Sequence, residues 1–289
     1  MDNLRKVSTD GLELIAKGRT ASVYAYSETE VLKVYFSFFP EEDILLQWDN
    51  TLKVTEIGIP CAKALELVQV GDSIGVIYER IYGETLSDLL TKAWLSDNKE
   101  IGRLLDFYVS FAKSLHEKEF PVGTFEDIKE HYQKKINKVT GVFISEENAK
   151  KLSTFIDDIP TSTHYLHGDL NQSNIILLSD RSVKMVDVGD AAQGDPLFDF
   201  CFLSGMVFLN RIIPSFSMKN CGLSDEESEE LYRLTISRYY NEANEEELQS
   251  ILKKGKLLGI VYGVTIGFGE GDFIPLIKKA VDKIVSEEF

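Results

Sequence analysis

Hydrophobic residues in the first quarter of the chain fall into short runs that predict β-strands. Polar or glycine-containing turn segments separate these runs. Five runs share the pattern: residues 12–16, 22–26, 31–36, 64–70 and 74–78. The last two flank Gly71-Asp72, a pair that suits a type II′ hairpin turn. The pattern therefore predicts a small antiparallel sheet.

A single helix is predicted between the third and fourth runs. It begins after Pro40 and ends at Gly58 and Pro60, because proline cannot continue a helix and glycine favours its C-terminal end. Apolar residues recur at helical spacing and form one face of this helix: Ile44, Leu45, Trp48 and Leu52.

Beyond Gly83 the apolar residues repeat at intervals of three and four. The clearest series predicts a buried, central helix: Ile101, Leu104, Leu105, Tyr108, Phe111, Ala112 and Leu115. Further helix starts are predicted at Thr85, Thr124 and Ser224, each followed three residues later by an acid. One strand pair interrupts this helical part, at residues 174–178 and 183–188.

The pattern as a whole predicts an α+β fold in two lobes. Residues 1–78 form a β-rich N-terminal lobe, residues 79–84 a short connector, and residues 85–289 a mostly helical C-terminal lobe.

Composition excludes several classes of protein. With 289 residues, 44% of them hydrophobic, the chain can bury a real core and is not disordered. Its 31 Lys and Arg against 47 Asp and Glu give a net charge of −16, which repels nucleic-acid phosphates and anionic lipids. We therefore expect no nucleic-acid partner and no membrane partner. A cationic small molecule would be attracted, although an acidic surface that maintains solubility is the simpler explanation.

Cysteine usage and hydropathy predict a cytoplasmic protein. The three cysteines, Cys61, Cys201 and Cys221, are widely spaced and odd in number, which does not suit a disulfide framework. The longest uncharged apolar stretch, residues 257–268, is shorter than the roughly 20 residues of a membrane-spanning helix. The N-terminal residues do not match a signal peptide.

Two segments carry the most chemical information. Residues 167–174 read H-G-D-L-N-Q-S-N, and residues 186–189 read V-D-V-G. They match the kinase signatures H-R-D-L-x-x-x-N and D-F-G at all but one position each. Phosphoryl transfer requires a magnesium ion at the phosphate oxygens and a positioned hydroxyl group. Asn174 and Asp187 offer oxygen ligands for Mg²⁺, and Asp169 can accept the hydroxyl proton.

The departures from the protein-kinase signatures identify a more specific resemblance. H-G-D replaces H-R-D, and G-D-P-L-F-D follows at residues 194–199. In these features the chain resembles the aminoglycoside phosphotransferase and choline kinase family, over residues 12–210. The resemblance implies a bilobal protein-kinase-like fold, with one helix in a small antiparallel-sheet N-lobe. It also implies that ATP, or GTP as the alternative, donates its γ-phosphoryl group to a hydroxyl of a small molecule.

The resemblance assigns the nucleotide contacts. Lys33 lies inside an apolar strand downstream of Gly18 and corresponds to the lysine that contacts the α- and β-phosphates. The backbone from Thr20 to Ser22 and the Ser22 hydroxyl would approach the phosphates, although this loop has one glycine where protein kinases have three. The carbonyl of Glu79 and the N–H of Ile81 would bind the base.

The glutamate that pairs with the strand lysine in kinases has two candidates. By resemblance its position is Gln47, which offers only a neutral hydrogen bond. On the helical wheel Glu41 lies on the apolar face and could supply the ion pair instead.

The acceptor is not specified by these motifs. Aminoglycoside-like compounds, amino alcohols and sugars all stay open, and we expect the protein to act as a monomer. Residues 223–249 hold nine acids and two arginines, so a cationic acceptor could bind there or at Glu270 and Asp272. Helix capping on a solvated surface explains the same acids more simply.

Two other functions are consistent with parts of the sequence. The glycine-poor phosphate loop and the uncertain helix glutamate suit a nucleotide-binding pseudokinase that acts as a sensor or scaffold. The series His164-x-x-His167-x-Asp169 resembles half of a zinc site. Regulated protein-kinase activity is disfavoured, because Gly168 replaces the arginine that anchors an activation loop and no A-P-E triplet follows Asp187.

Overall fold

The structure is a computed structural model that describes residues 4–96, 98–213, 215–266 and 273–289. Glu270 and Asp272 therefore lie outside the described residues. The chain divides into two compact units. The first comprises Met1–Thr85 with Asn174–Ala191, and the second Leu86–Ser173 with Ala192–Phe289. The lobe boundaries given above stay a prediction.

The first unit is built on a six-stranded sheet of order β1-β5-β6-β4-β3-β2. Its strands are β1 (Arg5–Val7), β2 (Leu14–Lys17), β3 (Ala21–Ala25), β4 (Glu30–Tyr35), β5 (Ala64–Val70) and β6 (Ser73–Glu79). All neighbouring pairs are antiparallel except β1 and β5. The predicted antiparallel sheet is confirmed, and the two-residue turn at Gly71-Asp72 joins β5 to β6. Strand β1 was not predicted, because three residues are too few to show a period.

Alternation along β4 gives the sheet two different faces. Leu32 packs with Val68 and Ile77 on one face. Tyr35 packs with Ile44 on the other, where helix α1 (Glu41–Glu56) covers the sheet. Lys33 has the parity of Tyr35 and therefore shares the face that α1 covers.

The buried side of α1 differs from the apolar face predicted above. Leu52 is 41% exposed, whereas the polar residues Asn50 and Thr51 are buried. The Asn50 side-chain amide donates to the carbonyl of Gly189 at 2.9 Å and to that of Ala191 at 3.3 Å. The helix therefore packs against backbone carbonyls of the segment 187–191 as well as the sheet. Hydrophobic spacing cannot show a contact of this kind.

A small antiparallel sheet completes the first unit. It contains β7 (Glu84–Thr85), β10 (Ile175–Leu177) and β11 (Val183–Met185), in the order β11-β10-β7. The predicted strand pair after residue 174 is confirmed.

The second unit is mainly helical. Its helices are α2 (Leu86–Ser96), α3 (Asn98–His116), α4 (Ile128–Val139), α5 (Glu146–Asp157), α6 (Cys201–Asn210), α7 (Phe216–Cys221), α8 (Asp225–Tyr239), α9 (Glu245–Ile266) and α10 (Ile274–Glu288). A three-stranded sheet of β8 (Glu126–Asp127), β12 (Ala192–Gln193) and β9 (Tyr165–Leu166) lies among them. No helix in the described ranges is long and apolar enough to cross a membrane.

Two of the three predicted helix starts in this unit are confirmed. Helix α2 begins directly after Thr85, and α8 begins after Ser224 with a complete capping box. The start at Thr124 is wrong, because residues 126–127 form β8 and pair with β12. Helix α4 is instead capped by Asp127, which accepts a hydrogen bond from the Lys129 N–H. The central helix is α3, in which five of the seven residues of the predicted series are buried, while Leu104 and Phe111 are half-buried.

Helices α6 and α9 approach closely through glycines. We call Gly205 of α6 and Gly259 and Gly263 of α9 the glycine seam. A Cβ atom added at Gly259 would lie 2.7 Å from the carbonyl carbon of Ser204, a distance that real side chains do not adopt. The seam therefore sets how close the two helices come and the register between them.

Replacement of Gly259 by alanine should lower the free energy of unfolding by about 1–3 kcal/mol, because the backbone of α6 must move to accept the methyl group. Urea denaturation measures the change. Gly102→Ala in α3 is the matched control, since an added Cβ there meets nothing within 4 Å. The control substitution should raise the free energy of unfolding by about 0.5–1 kcal/mol. Equal effects of the two substitutions would contradict the role of the seam.

Replacement of Asn50 by alanine should lower the free energy of unfolding by about 1–3 kcal/mol, because it leaves the carbonyls of Gly189 and Ala191 without this donor. Asp49→Ala, an exposed neighbour on the same helix, should change stability by less than about 0.5 kcal/mol. The comparison is again made by urea denaturation. An Asn50 variant as stable as the Asp49 variant would show that α1 does not depend on these bonds.

Candidate active site

Lys33 and Asp187 form an ion pair inside the first unit. The Lys33 Nζ lies 2.6 Å from Asp187 Oδ1 and 5.1 Å from the centre of the Tyr35 ring. The lysine side chain is only 13% exposed, whereas the aspartate is 48% exposed. Two residues that the sequence predicted for phosphate and metal are therefore in direct contact.

The surroundings of Lys33 keep its amino group charged. Burial lowers the pKa of Lys33, but the negative charge of Asp187 and the hydrogen bond to it outweigh this effect. The pKa therefore lies above its usual value. Burial raises the pKa of the neighbouring Tyr35 hydroxyl well above its usual range, so the tyrosine stays neutral beside the lysine.

The hairpin of β10 and β11 brings Asn174 and Asp187 to the same end. The Asn174 carbonyl accepts a hydrogen bond of 2.9 Å from the Val186 N–H, one residue before Asp187. Asp187 itself adopts the left-handed conformation, with φ of +58°. Non-glycine residues seldom adopt this conformation, which Arg181 and Ser215 also adopt in this chain.

The ion pair expected between Glu41 and Lys33 does not form. Glu41 is exposed in the first turn of α1, and within the described residues Lys33 pairs with Asp187 only. Gln47 occupies the inner side of the helix instead. It accepts a hydrogen bond from the Tyr35 hydroxyl at 2.9 Å and donates to Asp190 at 3.0 Å. The hydrophobic wheel misplaced Glu41 because the buried side of α1 carries polar residues.

The predicted phosphate loop is the turn between β2 and β3. The Gly18 N–H donates to the Ala21 carbonyl at 2.9 Å and closes the turn. Thr20 is half-buried, and its carbonyl accepts from the Phe36 N–H. Ser22 is buried within β3. These contacts fix the loop on the same sheet that carries Lys33.

The predicted base-binding segment follows β6. Glu79 is the last residue of that strand, and its side chain forms an ion pair of 2.5 Å with Lys184 of β11. Its N–H donates to the Lys63 carbonyl at 2.9 Å. Ile81 is half-buried, and no backbone carbonyl in the described part of the chain accepts from its N–H. The Glu79 side chain thus ties the segment to the β10–β11 hairpin.

A buried carboxylate anchors the loop that carries Asp169 in the second unit. Asp199 accepts hydrogen bonds from the N–H groups of His167 at 2.9 Å and Gly168 at 2.8 Å. The His116 ring nitrogen Nε2 lies 3.1 Å from the same carboxylate. In the sequence, Asp199 stands out only as the last residue of the G-D-P-L-F-D motif. Its role as an anchor depends on contacts 31 and 32 residues apart, which leave no local pattern.

Backbone geometry explains why this loop has H-G-D rather than H-R-D. Gly168 has φ of +83°, a conformation that costs little only for glycine. The Tyr108 hydroxyl donates to the Leu170 carbonyl at 2.7 Å from inside α3. Together with the bond from the Gly168 N–H to Asp199, this contact fixes the backbone on either side of Asp169.

The Asp169 side chain has a partner on each oxygen. Asn171 donates from its amide to Oδ2 at 3.0 Å. Tyr262 of α9 donates from its hydroxyl to Oδ1 at 2.6 Å. Tyr262 was not predicted, because it lies 93 residues from Asp169 in a helix without a recognised motif.

The two histidines of the zinc-like series lie in different surroundings. His167 is fully buried and accepts from the Asp169 N–H at 3.3 Å. The His164 Nδ1 lies 3.7 Å from Glu119. In the residues that the structure describes, no group of three or more His, Cys, Asp or Glu is arranged to hold a metal ion.

Several acids of residues 223–249 have local structural partners. Glu227 completes the capping box of α8, and Glu247 accepts from the Asn244 N–H. Glu229 and Glu230 pair with arginines, at 3.3 and 2.8 Å. These contacts agree with the simpler explanation of the acids as caps and surface pairs.

The predicted site residues are thus distributed between the two units. Lys33, Asn174 and Asp187 come together in the first unit, on the sheet and hairpin described above. Asp169 belongs to the second unit, with its own set of partners. Cys61 and Cys201 are free and buried.

Comparison with known proteins identifies a family. The phosphotransferase enzyme family (APH) matches residues 11–216, which is most of the chain. A search of curated proteins found no match.

Solved structures share the fold over nearly the whole chain. The gentamicin complex of APH(2")-IIa has a TM-score of 0.58 and 18% identity, covering 96% of this chain and 91% of that one. ADP-bound aminoglycoside phosphotransferase APH(2'')-Ib gives 0.58 and 16%, covering 96% and 92%. A thermostable mutant of aminoglycoside phosphotransferase APH(4)-Ia, with ADP and hygromycin B, gives 0.61 and 14%, covering 96% and 94%.

The predicted α+β, protein-kinase-like fold is confirmed by these structures, and the predicted class of enzyme, a small-molecule kinase, is confirmed by the family match. Because the family model matches more than half of the chain, the chain belongs to the phosphotransferase enzyme family.

Proposed function

We propose that this protein transfers the γ-phosphoryl group of ATP, with GTP as the alternative donor, to a hydroxyl group of a small molecule. It acts as a cytoplasmic monomer and uses Mg²⁺. The observation that carries the proposal is the contact of Lys33 with Asp187 at the hairpin end that also holds Asn174. A site for a nucleoside triphosphate requires a cation that binds phosphate and oxygen atoms that bind a metal ion.

The residues of the first unit fit a magnesium ion. Asp187 offers a carboxylate and Asn174 an amide oxygen, and Mg²⁺ prefers oxygen ligands while keeping positions for phosphate and water. When bound, Mg²⁺ would neutralise charge that builds up on the phosphate oxygens. The backbone of Asp187 is in the left-handed conformation, which clusters at functional sites and supports a role for the orientation of its carboxylate.

The remaining nucleotide contacts follow from the same unit. Lys33, whose raised pKa keeps it cationic, would bind the α- and β-phosphates. The turn from Thr20 to Ser22 would meet the phosphates through backbone N–H groups. The Glu79 carbonyl and the Ile81 N–H would bind the base.

Asp169 would act on the acceptor. The acceptor oxygen attacks the γ-phosphorus, the bond from that phosphorus to the β-phosphate oxygen breaks, and the nucleoside diphosphate leaves. The proton of the attacking hydroxyl passes to Asp169 and then to solvent. Asp169 is oriented for this by Asn171 and lies on a loop fixed by Asp199.

The acceptor is an aminoglycoside-like compound, an amino alcohol or a sugar. The net charge of −16 favours an amine-bearing acceptor, because it raises the local concentration of cations. The gentamicin and hygromycin B complexes of the structural neighbours are consistent with this class. The alternative of a non-catalytic nucleotide sensor is disfavoured, since a binding module has no need of Asp169.

Replacement of Asp169 by asparagine should lower turnover by about 10²–10⁴-fold, because the acceptor hydroxyl loses its proton acceptor. Nucleoside diphosphate release is measured with ATP and with GTP, across a panel of amino-sugars, amino alcohols and sugars. Asp180→Asn, in the hairpin turn between β10 and β11, is the control and should keep full activity.

The outcomes of this assay separate the candidate functions. Turnover that survives Asp169→Asn would contradict the mechanism. Nucleotide binding without turnover of any acceptor by the wild type would favour the sensor. Turnover that persists after removal of divalent cations with a chelator would contradict the role of Asn174 and Asp187.

Replacement of Lys33 by methionine should weaken nucleotide binding by about 10–100-fold, because a charge-assisted contact to phosphate is lost. Titration calorimetry with a non-hydrolysable nucleotide measures this. Lys6→Met, on the far strand of the same sheet, removes an equal charge from an exposed position and should leave affinity unchanged. Equal affinities of the two variants would contradict the phosphate contact.

A further inference from the structure

We propose that Tyr262 of α9 is a positioning residue for the reaction, holding Asp169 in the orientation and ionised form that accept the acceptor's proton. The inference rests on the proposed function of Asp169 and extends it to a residue beyond the family match, which ends at residue 216.

The contact is direct and short. The Tyr262 hydroxyl donates to Asp169 Oδ1 at 2.6 Å, while Asn171 donates to Oδ2 at 3.0 Å. Donors on both oxygens prevent rotation of the carboxylate about its terminal bond. Hydrogen bonds to a carboxylate favour its charged form over its protonated form. A base must be deprotonated when the hydroxyl arrives, so the phenol supports that state without losing its own proton.

The position of the Tyr262 ring is fixed independently of Asp169. Phe202 packs edge-on against it, with ring centres 6.3 Å apart. The Lys135 ammonium lies 5.2 Å from the ring centre on the side of α4. A Cβ atom added at Gly205 would come within 3.0 Å of the ring, so the glycine seam makes the space that the ring occupies. The phenol is thus preorganised rather than placed by the aspartate.

The choice of partner distinguishes Tyr262 from structural tyrosines in the same unit. Tyr108 and Tyr232 donate to backbone carbonyls, those of Leu170 and Leu252. Such bonds satisfy a buried hydroxyl and hold the backbone. Tyr262 is only half-buried, where water could serve it, and it donates instead to the carboxylate assigned to proton transfer.

The test compares Tyr262→Phe with Tyr232→Phe, which removes a tyrosine hydroxyl from the same unit without touching Asp169. Tyr262→Phe should lower kcat about tenfold, because an oriented charge-assisted bond is lost. The KM for the acceptor should change less than about twofold, since the variant keeps the ring. The acid limb of the pH profile should move to higher pH by about half a unit to one unit. Tyr232→Phe should leave kcat and the pH profile as in the wild type.

A second measurement needs no turnover. Carbon-13 labelling of aspartate carboxyls follows the protonation of Asp169 by NMR, with its signal assigned by its loss in Asp169→Asn. In Tyr262→Phe the midpoint of this titration should move to higher pH by about half a unit to one unit, and in Tyr232→Phe it should not move.

The two measurements keep the failures apart. If the midpoint moves as expected while the wild type phosphorylates no acceptor, the proposed function fails and the control of Asp169 by Tyr262 stands. If the wild type is active and neither the acid limb nor the midpoint moves in Tyr262→Phe, the inference is overturned. A loss of kcat without either shift also overturns it, because that result indicates a structural role.

Discussion

The second unit depends on one buried carboxylate. Asp199 has almost no exposure, and a charge in that position is tolerated only if donors surround it. Two of its donors are backbone N–H groups of the loop that carries Asp169, and the third is the ring of His116. The cost of burying the charge is thereby offset by fixing the loop. Without these hydrogen bonds the backbone that orients Asp169 would not be fixed.

The first unit solves a similar problem with a neutral amide. Asn50 is buried in α1 and binds the carbonyls of Gly189 and Ala191, so a helix side chain holds the backbone that follows Asp187. Gln47, from the same helix, reaches Asp190 beside it. In both units, then, a buried polar side chain positions a loop through its hydrogen bonds. Charged residues at the loop ends can therefore be aimed without being buried themselves.

Most of the fold and the main site residues could be predicted from the sequence. The features that could not be predicted depend on contacts that leave no local pattern. Strands and long helices show in the spacing of apolar residues, and the H-G-D-L-N-Q-S-N loop shows because proton transfer and metal binding need fixed residues at fixed spacing. The face of α1 could not be predicted, since Asn50 and Thr51 are buried for their hydrogen bonds. The roles of Asp199 and Tyr262 depend on partners distant in the chain. A hydrogen bond between residues far apart in the chain produces no regular spacing that could be read from the sequence.

The left-handed conformation of Gly168 restricts which residues this position accepts. A single codon change to arginine would recreate the protein-kinase triplet in letters, yet an L-residue at that φ carries a penalty of about 1–2 kcal/mol. The backbone would have to rearrange before the new side chain became useful, and that rearrangement would disturb the N–H that Asp199 accepts from. Gly168→Arg would therefore weaken the anchoring of the loop that carries Asp169, so the backbone of this loop itself requires glycine.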